Sequence, residues 1–265
     1  MRIETNTELV KRNRRTANLL FFFSMAVLIA GFLVANLQLT AQDGLTLLLS
    51  VVLPWIVLPV GFISTLFSVR MTNLWVRQPR PEKAIPAGLK GLSKRSILYN
   101  YYHFPARHVL ISPQGVFAII TRYQDGIYSV DGDVWKSQGG LLSGIGRFFR
   151  RDAIGNPSED ARKAAAHVKG LLAAKFPNIE VQPLVIFVDP KARLAINDPT
   201  IPVLYADENL EPNLRDYMRQ LTQKDNEEEV APVKKGKGKP EPKVESGSIN
   251  PEQVADALEE ATIVS

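Results

Sequence analysis

Two stretches without a charged residue, 17–37 and 45–69, constrain the chain more than any other feature. At 1.5 Å of rise per residue, about 20 apolar residues cross a hydrocarbon layer of roughly 30 Å, so each run is long enough to span one. Pro54 and Pro59 lie in the second run. In water they would break a helix; in a bilayer they are tolerated and kink it. Trp75 follows at the place of an interfacial aromatic. Neither run holds an ionisable residue, which argues against an ion or proton pathway. The first run is also longer than the apolar core of a cleaved signal sequence.

Basic residues flank the pair on both sides. Arg2, Lys11, Arg12, Arg14 and Arg15 precede it; Arg70, Arg77, Arg80, Lys83, Lys90, Lys94 and Arg95 follow it. The connection 38–44 carries only Asp43. By the positive-inside rule this is a helical hairpin with both termini in the cytoplasm, a multi-pass arrangement in the plasma membrane. The expected organisation is a basic N-terminus (1–16), a hairpin (17–69), a basic juxtamembrane linker (70–95), a cytoplasmic domain (96–223) and a tail (224–265).

The net charge of +5 does not indicate nucleic acid, because basic residues are expected beside membrane spans. The absence of cysteine excludes disulfides, thiolate metal sites and cysteine nucleophiles. With only three histidines, a His-rich metal centre is not expected either. No Walker A, GxGxxG, GxSxG or HExxH pattern occurs.

Beyond the linker the pattern changes to short apolar runs. Segments 97–104, 108–112, 115–122, 127–130 and 134–135 read as strands, separated by Pro-Gln-Gly and Asp-Gly turns. A helix opens near Asn156-Pro157-Ser158, with Ser158 as N-cap and Glu159 and Asp160 in the first turn, and runs to about Lys175. Strands at 181–188 and 201–205 and a helix at 210–221 complete an α/β or α+β domain with a mixed sheet. From Lys224 the composition is that of a disordered tail. Within it, 250–260 is amphipathic and expected to fold only on a partner. Residues 141–151 combine Leu, Ile and Phe with Arg147, Phe148, Phe149, Arg150 and Arg151. They suit a segment that dips into an anionic leaflet, or a loop that packs on the domain.

Four stretches, 108–122, 126–137, 156–172 and 181–188, resemble in order the NERD or nuclease-related domain, part of the restriction-endonuclease-like superfamily. The resemblance implies a site with an Asp on one strand and a Glu-x-Lys on the next. There the two carboxylates hold Mg²⁺ and the lysine positions the attacking water. The Asp-His of that pattern is Arg107-His108 in this chain, and the Glu-Thr-Lys is Ile120-Thr121-Arg122. Both metal-binding carboxylates are replaced, and Arg122 keeps the charge without being able to shed a proton near neutral pH. Arg107 in place of an acid favours phosphate binding over cleavage.

The family helix tends to carry Gln where Asp160 stands. Glu82 corresponds to a glutamate of the family's helix, while Asp125, Asp131 and Asp133 are the nearest acids and sit in hairpin turns. The expectation is a membrane-anchored, catalytically inactive binding or scaffolding module without a cofactor. Its partners would be the lipid bilayer and a protein or nucleic acid. The alternative is a membrane-tethered Mg²⁺ nuclease with a rearranged site built from Glu82, Asp131 or Asp133.

Overall fold

The computed structural model describes residues 1–36, 52–91, 94–138, 154–230 and 250–264. The chain divides into two compact units. Of the described residues, one holds those within 7–80, the other those within 1–6, 81–138 and 154–264.

The helical unit contains α1 (Thr7–Asn36) and α2 (Leu53–Trp75). Both are long and apolar enough to cross a membrane. They pack on each other through small residues: a Cβ at Gly31 would meet Val57 Cγ1 at 2.9 Å, and one at Gly61 would meet Leu28 at 3.1 Å. Close approach of this kind holds helices together where lipid removes the hydrophobic drive. Pro59 lies inside α2 without ending it. Phe21, Phe22, Phe23, Phe32 and Trp55 face outward, an arrangement that costs free energy in water and none in hydrocarbon. Helix α1 starts ten residues before the uncharged run, so the basic flank Lys11–Arg15 is helical and continuous with it.

The α/β unit is built on a mixed six-stranded sheet in the order β1-β2-β3-β4-β7-β9. Its strands are β1 (Arg2–Thr5), β2 (Ile97–His103), β3 (Ala106–Ser112), β4 (Gly115–Arg122), β7 (Val181–Phe187) and β9 (Val203–Tyr205). Strands β2, β3 and β4 form an antiparallel meander, whereas β1 joins β2 in parallel and β4, β7 and β9 run parallel. A second sheet has the order β6-β5-β8, from β5 (Ile127–Asp131), β6 (Val134–Gln138) and β8 (Arg193–Asn197).

Alternation along β4 explains its unbroken apolar sequence. Val116, Ala118 and Ile120 enter one core, Phe117 and Ile119 the other. A sheet covered on both faces needs apolar residues at every position. The first face is covered by α4 (Pro157–Leu172) and α6 (Pro251–Val264), the second by α3 (Pro81–Gly88) and α5 (Leu214–Val230). Glycine is required in the β5–β6 turn, where Gly132 takes φ +55°.

Several expectations are corrected. Residues 2–5 are a strand of the main sheet and not part of a basic flank. The linker holds α3, whose Ile85 is fully buried. Asn156 caps α4, accepting from the Glu159 N–H at 3.1 Å; Ser158 instead accepts from Trp135 Nε1 at 2.8 Å. Helix α4 ends at Leu172 and α5 reaches Val230, past the expected start of the tail. Strand β8 was not anticipated. The amphipathic segment folds on its own chain: Val254, Ala255, Ala257 and Leu258 of α6 are buried against α4, β2 and β3. Arg147–Arg151 and most of the expected tail lie outside the described residues.

Candidate functional site

Strands β3 and β4 bring together the three positions that the nuclease resemblance assigns. Val109 stands opposite Ala118 and His108 opposite Ile119, and Arg107 and Ile120 are the chain neighbours of that last pair. Arg122 lies two residues further along β4, on the same face as Ile120. This is the face packed against α4. Parallel strand β7 borders it, with Val185 beside Ile120 and Phe187 beside Arg122.

The chemistry at these positions is apolar and cationic. Ile120 is 6% exposed and belongs to the first core. The Arg122 Nη2 donates to Asp160 Oδ2 at 2.5 Å, and Asp160 comes from the first turn of α4. The arginine side chain is 14% exposed and the aspartate 52%, so a mostly buried cation reaches outward to a carboxylate at the surface. Asp160 thus does more than complement the helix dipole. Its contact with β4 could have been suspected from its place beside Ala161, which is fully buried on the inner face of the helix.

The alternative carboxylates are also committed. Asp131 Oδ1 accepts from Asn197 Nδ2 at 2.7 Å, tying β5 to β8. Asp133 accepts from Arg162 at 2.5 Å and from the Thr200 hydroxyl. These two donors, Thr200 first, hold its carboxyl below the usual carboxylate range. Glu82 accepts from the Tyr101 hydroxyl at 3.0 Å. It rides on α3, which packs into the second core, across the sheet from Ile120. Among the described residues no group of three or more His, Asp or Glu could hold a metal ion. An octahedral Mg²⁺ needs oxygen ligands, and Arg107, Ile120 and Arg122 supply none. The motif positions therefore do not fit the metal.

His108, the histidine of the Asp-His pattern, has a structural role. It is completely buried, and Nδ1–H donates to Asn100 Oδ1 at 2.8 Å. Asn100 in turn donates from Nδ2 to Thr5 Oγ1 at 3.0 Å. Three side chains thus cross three adjacent strands, β3, β2 and β1. Burial pushes the His108 pKa down to about 3, with Arg107 adding to the effect.

A separate cleft of about 540 Å³ opens between β1, β2 and α6, lined by Arg2, Tyr99, His103, Glu259 and Thr262 among others. Tyr99 donates to Glu259 Oε1 at 2.5 Å and accepts from Arg2 Nη2 at 3.1 Å. Burial and the glutamate raise its pKa. Thr262 gives its hydroxyl proton to Leu258 O, so it accepts from His103 Nδ1–H at 2.9 Å. Burial, with His167 nearby, lowers the His103 pKa to about 4. None of these residues was singled out from the sequence as a site. Their donors and acceptors are largely spent on fastening α6 and β1 to β2.

With this geometry the strand pair, the hairpin and the α4 start can be compared with known families. Residues 82–188 match NERD, the nuclease-related domain. The NERD segment runs from α3 through β7 and contains Arg107, Ile120, Arg122 and Asp160. It leaves out β1, β8, β9, α5 and α6. The cleft thus joins β2, inside the matched segment, to two elements from outside it. No curated protein and no solved structure matches the chain.

Proposed function

We propose that the chain is a membrane-anchored NERD protein whose domain binds or scaffolds and does not cut nucleic acid. The observation that carries this reading is Ile120 in the core and the Arg122–Asp160 ion pair, at the positions that the resemblance gives to a carboxylate and a lysine. Two carboxylates at adjacent sheet positions are what would concentrate Mg²⁺ at a scissile phosphate. An isoleucine and an already neutralised arginine do neither.

Anchoring is supported by the two long apolar helices with outward-facing aromatics. The topology has support independent of the basic flanks. Residues 2–5 and 97–103 pair in one sheet, so the chain before α1 and the chain after α2 lie on the same side of any bilayer the helices cross. Helix α6 packs on that same unit, which supports a C-terminal end on that side too. The positive flanks make this side the cytoplasm. Partners are a lipid bilayer and a protein or nucleic acid held at its surface.

The test is calorimetric titration of Mg²⁺ and Mn²⁺ into the full chain in detergent, beside a cleavage assay on labelled DNA and RNA. The expected result is neither stoichiometric metal binding nor cleavage. Metal-dependent cleavage that persists in Ile120→Ala and Arg122→Ala but fails in Asp131→Ala or Asp133→Ala would replace this reading with a rearranged nuclease.

A further inference from the structure

Lys11, Arg14, Arg15, Asn18, Leu19 and Phe22 line a shallow groove of about 430 Å³ on α1. Their spacing is i, i+3, i+4, i+7, i+8 and i+11, which is one face of one helix. Along that face the chemistry changes in order: three cations, then an amide, then a leucine and a phenylalanine. Lys11, Arg14, Arg15, Asn18 and Leu19 are all exposed. Among the described residues no carboxylate pairs with Lys11, Arg14 or Arg15.

We infer that this face is a binding site for an anionic phospholipid, with the phosphate among Lys11, Arg14 and Arg15 and an acyl chain along Leu19 and Phe22. The inference rests on the membrane-anchored reading above and adds a ligand class and a place to it.

The dimensions agree. The uncharged run begins at Ala17. At 1.5 Å per residue, Arg15 and Lys11 sit roughly 3 and 9 Å outside it, and Phe22 roughly 7.5 Å inside. The polar layer between hydrocarbon and water is about 5–8 Å thick on each side. The three cations therefore span the headgroup layer, while Phe22 lies at the depth of the first methylenes. Asn18, one residue inside the boundary, is level with the ester groups and has an amide to offer them. Cations spread evenly round a helix would serve the general attraction of a basic flank equally well. Here Lys11, Arg14 and Arg15 share one stripe with the apolar residues that an acyl chain needs, with the exposed Arg12 of the same helix outside it, and the helix rigidly fixes the spacing between headgroup and chain contacts.

The experiment uses the full chain in two steps. Alkaline carbonate extraction from phosphatidylcholine vesicles first reports insertion. Native mass spectrometry from micelles containing equal phosphatidylglycerol and phosphatidylcholine, with matched acyl chains, then reports which lipid is retained. The expected result is preferential retention of phosphatidylglycerol, falling at least about fivefold in Lys11→Gln/Arg14→Gln/Arg15→Gln. The charge-matched control Lys136→Gln/Lys169→Gln/Lys191→Gln, away from α1, should keep the preference. Extraction by carbonate would overturn the anchor reading and this site with it. Insertion without lipid preference, or a preference that survives the α1 triple variant, would overturn the site alone. Displacement of phosphatidylglycerol by millimolar inorganic phosphate would make it a simple anion site and overturn the lipid assignment.

Discussion

The Arg122 guanidinium reaches Asp160 at 2.5 Å, from the end of β4 to the first turn of α4. The cation at the position that the resemblance gives to a lysine thereby forms a strand-to-helix tie. A partly buried pair of this kind is expected to couple by about 1 kcal/mol, more than a fully exposed one, because the arginine end is shielded from water. A double-mutant cycle with Arg122→Met and Asp160→Asn, read by chemical denaturation in detergent, should return that coupling. Additive effects of the two changes would mean that the contact contributes nothing.

Arg107 and Ile120 flank the paired His108 and Ile119 of β3 and β4, at the positions where the resemblance puts two carboxylates. Ile120→Glu alone would bury a carboxylate without a partner and should destabilise by a few kcal/mol. If the positions are truly equivalent to the nuclease pair, Arg107→Asp/Ile120→Glu should regain stability when Mg²⁺ or Mn²⁺ is added, while the single Ile120→Glu regains less. Thermal unfolding with and without metal measures both. Equal indifference to metal would show that the strand pair does not have nuclease geometry.

How much of this was legible in the sequence depends on the range of the interaction. The β2–β4 meander, α4 and β7 follow from local periodicity and turn chemistry and are found within a few residues of the expected places; the two apolar helices are found too, but α1 starts ten residues before its uncharged run and α2 continues six residues past its own. Strand β1 was missed because its four residues carry no apolar alternation and pair with a strand some ninety residues away. Helix α6 was read correctly as amphipathic but assigned to an outside partner, since nothing in 250–260 indicates that β2, β3 and α4 supply the covering surface. At the site, the sequence shows only the residue identities, Arg107, Ile120 and Arg122. The pairing of Arg122 with Asp160, and of Asp133 with Arg162, was not visible in it, because each joins residues that only the fold brings together.

Two buried histidines give the fold a predictable acid sensitivity. His103 and His108 stay neutral in the folded chain down to about pH 4 and about pH 3. In the unfolded chain both take up a proton near pH 6.5. Below that pH the unfolded state binds more protons, so stability falls as the pH drops from about 6.5 towards 4 and 3, and is insensitive to these groups above 7. The losses across the two windows are on the order of 3 kcal/mol for His103 and about 5 kcal/mol for His108. His108→Asn should flatten part of the slope between pH 6.5 and 4 in thermal scans. An unchanged slope in both His108→Asn and His103→Asn would refute the assignment.

Asp133 joins the β5–β6 hairpin to Arg162 of α4 and to Thr200. If its role is structural, Asp133→Ala should speed amide hydrogen exchange across 127–138 and leave any nucleic-acid binding by the chain unaltered. Loss of binding without faster exchange would point to a direct contact instead.

Helix α6 supplies Val254, Ala255, Ala257 and Leu258 to the first core, and its polar side chains fasten β2: Glu259 to Tyr99 and Thr262 to His103. Leu258 is fully buried. Truncating it to alanine leaves a cavity between α6 and the sheet and should cost about 2–5 kcal/mol if the helix is an integral part of the domain. A helix that docks only when a partner is present would give a different result. Leu258→Ala would then leave the melting temperature of the full chain unchanged, and amides of 251–264 would exchange at the rate of unstructured peptide. The expected outcome is a lowered melting temperature with protected amides in the unsubstituted chain. Glu259→Gln should produce a smaller loss than Leu258→Ala, because it keeps an acceptor for Tyr99 and removes only the charge facing Arg2.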